Sequence, residues 1–207
     1  TDKGDNQIAA FHPGAAADPY GGELTLNSDT LAIIAPGSIT DMQTLPEKFR
    51  KNGVRFLFDP GQVIPALSSE DLKNGITGAE AVFANDYEFS LIEFKTGWTP
   101  ADIVKVAKTL VITLGVAGSR VITAGGETTV AATPAREAKD PTGAGDGYRA
   151  GYMKGLRSNL TAAECAQLGS VIATYVVENV GTQSHRFTLE DLLKRYEVSY
   201  GTTLALK

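Results

Sequence analysis

Cysteine, histidine and clustered positive charge are what this 207-residue chain has least of. Cys165 is its single cysteine. That excludes an intramolecular disulfide framework and fits a reducing, cytoplasmic compartment. Two histidines, His12 and His185, together with one thiol fall short of a structural zinc site. No Lys/Arg-rich run occurs and the formal net charge is −5, which argues against a nucleic-acid partner. No apolar run approaches the ~20 residues of a membrane helix. The opening, "TDKGDNQIAAFHPGAA", has neither an initiator Met nor a signal-peptide pattern and reads as a trimmed or fragmentary start. What the chain does have is a hydrophobic content of 43%, enough for a real core, in a length near that of one large domain.

From residue 30 onward short apolar runs alternate with helical patterns. "LAIIAPG" (31–37), "VRFLFDP" (54–60), "AVFAND" (81–86) and "LVITLG" (110–115) read as buried strands. Helices are expected over 41–52, within 65–74, over "YEFSLIEF", and after the Thr99-Pro100 start signal. "SRVITAG" and "TTVAATPA" read as a further hairpin-like pair. The pattern is helical from 143, with a capping box at Thr161 and Glu164 and a last helix capped by Thr188. Strand–helix repetition with continuous apolar strands implies an α/β fold, a doubly wound and mainly parallel sheet covered on both faces. Ligands bind outside the carboxyl ends of such strands, which groups Gly37, Asp59, Asn85 and Gly115 along one edge. Residues 1–29 differ and read as a small β extension or lid, with 30–207 as the α/β core.

The stretch "KDPTGAGDGYRAGYMKG" (139–155) sets an acid inside a glycine turn at the mouth of a helix. Gly143, Gly145 and Gly147 do not make a dinucleotide fingerprint, and no lysine completes a P-loop. What remains is a backbone anion hole, in which amides of Gly143, Ala144 and Gly145 gather beside a helix N-terminus. Phosphoryl transfer to an alcohol needs such donors and a carboxylate to take the hydroxyl proton, a role open to Asp146. Spacing alone leaves Asp146 equally readable as an ordinary helix cap.

"DPTGAGDGYRAG" closely resembles the C-terminal signature of the PfkB-type carbohydrate kinases, the ribokinase-like family. The match runs through Asp140, Pro141, Thr142, Gly143, Ala144, Gly145 and Asp146, then three residues, then the small pair Ala150 and Gly151. The resemblance implies that Asp146 is the catalytic base and that ATP and Mg²⁺ are the cofactors. "NDYE" is similar to the family's N-x-x-E motif, which assigns Asn85 and Glu88 to Mg²⁺ and phosphate, the metal held through water. "TLGVAGS" is similar to the segment bordering the nucleotide, implying Thr113, Gly115 and Gly118 there. Asp140 and the Thr142 carbonyl fall where many relatives hold a monovalent cation such as K⁺, with "VVENVGTQSH" supplying the rest. Both ends resemble bacterial adenosine-kinase-like members, which leans the acceptor toward a nucleoside rather than a simple sugar. Phe11, Tyr20 and Trp98 are aromatic candidates for stacking a base, or are packing residues.

The family's N-terminal strands and sugar contacts have no counterpart here, so the chain resembles roughly the C-terminal two-thirds of a member. The expected activity is ATP-dependent transfer of the γ-phosphate to a hydroxyl of a nucleoside or sugar. The alternative is a catalytically incomplete nucleotide-binding fragment acting with a complementary chain. A different α/β enzyme using the turn for another anion is a third reading. Sheet neighbours that are missing leave an edge and an apolar face, so self-association or a complementary fragment is expected.

Overall fold

The computed structural model describes residues 12, 14–22, 24, 26–27 and 29–206. Six strands form one sheet in the order of the chain: β1 (Leu31–Ile34), β2 (Arg55–Phe58), β3 (Ala81–Asn85), β4 (Thr109–Thr113), β5 (Ser119–Thr123) and β6 (Gly126–Val130). β1 to β4 run parallel, and β5 and β6 add antiparallel. Crossovers supply α1 (Ile39–Lys51), α2 (Ser69–Ile76), α3 (Asp86–Thr96) and α4 (Pro100–Val106). A sheet that advances one strand at a time through right-handed crossovers stacks all of those helices on one face. The other face is covered from later in the chain, by α5 (Ala144–Arg157) and α6 (Ala162–Val177), with α7 (Leu189–Tyr200) packed outside α6.

This arrangement explains why the strands are apolar without a break. Phe56, Phe58, Val82, Ala84, Leu110 and Ile112 meet α1–α4 through Met42, Phe49, Leu72, Ile92 and Ile103. The intervening Leu57, Ala81, Phe83 and Val111 meet Tyr148, Tyr152, Cys165 and Ala166 of α5 and α6. Side chains alternate between faces, and both faces are interior.

Capping residues set the helix starts. Ser38, Ser68, Asn85, Thr99, Thr161 and Thr188 each accept a hydrogen bond from the first turn of α1, α2, α3, α4, α6 and α7. α1 therefore starts two residues before the expected 41. The helix expected within 65–74 is α2, which starts at Ser69 after a 3₁₀ turn, Gly61–Ala66. The strand expected over 128–135 stops at Val130, because the next backbone groups are bound by side chains. Tyr200 donates to the Ala131 carbonyl (2.9 Å), and the Thr133 amide donates to Ser170 Oγ (2.8 Å). The lid expected over 1–29 falls largely outside the described residues. Within its described part Gly14–Ala17 form one 3₁₀ turn, and the Tyr20 amide donates to Asp41 Oδ2 (2.9 Å).

α5 and α6 approach backbone to backbone. Gly147, Gly151 and Gly155, four residues apart, form one ridge of α5. A Cβ on Gly151 would lie 2.7 Å from Gly169 Cα, one on Gly147 would lie 2.8 Å from Val176 Cγ2, and one on Gly155 would lie 2.8 Å from Cys165 Sγ. The small residue that ends the family signature is thus a packing requirement. Gly151→Ala is expected to cost about 1–3 kcal/mol through overpacking against backbone that cannot swing aside, read from the midpoint shift in urea unfolding.

Candidate active site

The carboxyl ends of β1 to β4 align the candidate residues. The Asp59 amide donates to Ile34 O (2.9 Å) just past β1 and β2, and Asn85 and Thr113 are register partners at the ends of β3 and β4. The N-terminus of α5 comes to the same edge through Arg149, which lies one turn into the helix. Its guanidinium binds Asp59 through Nη1 and Asp146 through Nη2. Asp59 is 5% exposed and Arg149 16%, whereas Asp146 is 75% exposed. Burial pushes the Asp59 carboxyl up to about 6, against the pull of Arg149, and nearby Glu88 also raises it. Asp59 Oδ1 is buried with no hydrogen-bond partner among the described residues.

α5 starts differently from its neighbours. Its N-cap is Gly143, left-handed at φ 88°, with no side-chain cap. That backbone favours glycine, and a Cβ there would also press on Thr182 at 3.1 Å. The Ala144 amide is taken by the Pro141 carbonyl (3.0 Å), so of the three residues expected to form the anion hole it is Gly143 and Gly145 whose amides are left for a ligand, together with that of Asp146. Asp146 sits in the first turn and does not cap the helix.

The Asn85–Glu88 pair closes as a capping box at α3. Asn85 Oδ1 accepts from the Glu88 amide (2.8 Å), and Glu88 Oε2 accepts from the Asn85 amide (2.8 Å). The cap uses one oxygen of each side chain and leaves Asn85 Nδ2 and Glu88 Oε1 outside it. Among the described residues no group of three or more His, Cys, Asp or Glu is arranged to hold a metal directly. That donor set fits an ion carried on phosphate oxygens and water.

Thr113 ends β4, and a 3₁₀ turn, Gly115–Ala117, reverses the chain into β5, closed by the Leu114 amide on Gly118 O (2.8 Å). A Cβ on Gly118 would lie 2.1 Å from Val130 O, so packing on β6 accounts for that glycine by itself. Asp140 joins two loops: Oδ1 accepts from the Thr142 amide (2.9 Å) and Oδ2 from the Gly181 amide (3.0 Å). The 178–184 loop thereby lies against the glycine turn, the neighbourhood expected to hold a monovalent cation.

The sequence pattern grouped Gly37, Asp59, Asn85 and Gly115 along one edge; the structure has Asp59 just past β2, Asn85 ending β3 and Gly115 just past β4, with Arg149 linking Asp59 to Asp146. Arg149 had no assigned role, since it lies in the three free positions of the signature. Two signals pointed to it: the apolar run Phe56–Phe58 that ends on an acid, and an arginine three residues after the candidate base.

Strand ends of an open α/β sheet and a helix N-terminus without a side-chain cap thus meet at one edge, where such sheets take ligands and such termini attract anions. The chain belongs to the pfkB family of carbohydrate kinases, whose model matches residues 1–188. It is 30% identical over 200 residues to the nucleoside kinase of Methanocaldococcus jannaschii, covering 95% of this chain and 65% of that protein. It is 30% identical to that of Methanothermobacter thermautotrophicus, covering 97% and 66%. Among solved structures, the Burkholderia thailandensis nucleoside kinase in complex with inosine superposes with a TM-score of 0.90 at 31% identity, covering 98% of this chain and 67% of the other. The chain thus spans just under two thirds of the length of the curated relatives it matches. Among the described residues no helix is long and apolar enough to cross a membrane.

The Thr142 side chain, then the Gly181 and Thr142 amides, hold the Asp140 carboxyl below its ordinary 3.8. A depressed folded value means that the link is complete above the unfolded value and is lost as pH falls through the lower folded one. In an NMR titration the Thr142 and Gly181 amide signals are expected to move together, with a common midpoint below 3.8. Separate midpoints would mean that Asp140 does not couple the two loops.

Proposed function

We propose that this chain carries the phosphate and base half of an ATP-dependent kinase that phosphorylates a hydroxyl of a nucleoside, adenosine-like, or of a sugar. The observation that carries the reading is the start of α5. An acid in the first turn leaves its own helix uncapped, beside amides without acceptors, in a chain of the pfkB family. The nucleoside kinases among its relatives, one of them solved with inosine, favour a nucleoside as acceptor.

In this reading the amides of Gly143, Gly145 and Asp146 and the α5 dipole receive the terminal phosphate of ATP. Asp146 orients the acceptor hydroxyl and takes its proton as the new P–O bond forms and the bond from the γ-phosphorus to the β–γ bridging oxygen breaks, ADP carrying that oxygen away. Asn85 and Glu88 hold the phosphates and their hydrated Mg²⁺, whose chemistry is to spread the charge on the phosphoryl oxygens. Thr113 and Gly115 border the nucleotide, with Gly118 shaping the turn. Asp140, the Thr142 carbonyl and the 178–184 loop form the place for K⁺.

A second reading is favoured by the span just under two thirds of the relatives' length and by β1, whose outer edge pairs with no other strand among the described residues. There the chain binds nucleotide and transfers phosphate only with a complementary chain or a second copy. Intact mass and size-exclusion chromatography separate the readings. A single, compact monomer that turns over ATP and nucleoside argues for the first, and turnover that appears only on adding the complementary part argues for the second.

Asp146→Asn is expected to lower turnover by roughly 10²–10⁴-fold, with ATP affinity measured by calorimetry changed only slightly. Turnover that survives the substitution removes the base assignment.

A further inference from the structure

Asp146 is a mostly exposed carboxylate on the first turn of a helix, and an exposed Asp ordinarily samples several rotamers. Among the described residues its side chain is hydrogen-bonded and ion-paired to Arg149. An i,i+3 ion pair on a surface is worth little, because it must order two flexible side chains in water. This pair differs in one respect. Arg149 is held from behind by Asp59, which is nine-tenths buried at the end of β2, ninety positions earlier in the chain. The entropy of the arginine is therefore already spent, and its planar fork presents separate nitrogens to the two acids, a geometry that lysine cannot reproduce. The remaining Asp59 oxygen makes no hydrogen bond of ordinary geometry, and the nearby Gly61 amide only partly compensates it. Glu80 is likewise a buried acid, but its partners Arg55 and Lys108 reach it from the exposed surface, whereas Arg149 is itself mostly buried and carries a second acid.

We propose that Arg149 is the positioning residue of this site: anchored by the buried Asp59 carboxylate, its guanidinium holds Asp146 in one orientation at the mouth of α5. The role in catalysis rests on the kinase reading, whereas the ordering of Asp146 does not. Loosening either contact slows phosphoryl transfer and leaves nucleotide binding in place, because the phosphate is received by backbone amides, that of Asp146 included, whereas the Asp59, Asp146 and Arg149 contacts are made by side chains.

The test uses the 207-residue chain, isotopically labelled. Three-bond couplings to the Asp146 carboxyl carbon report its χ1 rotamer. A single rotamer is expected in the wild type and averaging in Arg149→Met. That variant leaves Asp59 buried without its cation, a strongly destabilising situation. Asp59→Asn/Arg149→Met, which removes both charges, is therefore measured beside it, with the amide spectrum confirming the fold. In the assay with ATP and a nucleoside, kcat is expected to fall about 10- to 100-fold, KM for ATP to stay within about twofold, and Arg149→Lys to recover part of the loss. A fixed Asp146 rotamer in the folded double variant, or an unchanged kcat, overturns the proposal. Averaging on loss of Arg149 in a wild type that transfers no phosphate upholds the positioning role and overturns the kinase reading instead.

Discussion

The glycine ridge of α5 against α6 is the constraint on which the rest of the structure depends. The crossovers of β1 to β4 cover one face of the sheet only, so the second face waits for helices from the end of the chain. α5 and α6 bury Leu57, Phe83 and Val111 only as a close pair, and three glycines on α5 allow that closeness. The same contact fixes where α5 begins. Its first turn then stands over the strand ends, with Gly143 turning the chain and Asp146 facing outward.

Electrostatics completes what packing begins. Six of the described α-helices satisfy their first amides with their own Ser, Thr or Asn. α5 does not, and its partial positive charge is left at the edge where β2 delivers a buried acid and α3 begins with Asn85 and Glu88. Arg149 binds two carboxylates there, Asp59 and Asp146, and Glu88 lies near enough to Asp59 to raise its pKa. A cation so placed keeps the acids from repelling one another while the amides nearby stay free for an anion.

Much of this was legible beforehand because it is local. Thr99-Pro100, Thr161 with Glu164, and Thr188 marked helix starts with a mechanism contained within four residues, and the structure has all three caps. Continuous apolar runs marked strands buried on both faces. The glycine turn matched a signature whose chemistry is carried by backbone amides. Boundaries failed where a distant partner decides them: β6 stops at Val130 because Tyr200 and Ser170, from helices far along the chain, take up the backbone that follows. Asn85 and Glu88 were legible as a pair, readable as a phosphate motif or as a helix cap, and the structure has the cap.

The sequence by itself determined the α/β class, the family and the residues of the glycine turn, since periodicity, capping and motif spacing are properties of neighbours along the chain. Only the tertiary structure decided that Gly151 is small because a backbone lies upon it, that Gly118 answers to β6, and that Asp59 reaches Asp146 through Arg149. These are contacts between segments tens of residues apart, and their geometry exists only once the sheet is covered on both faces.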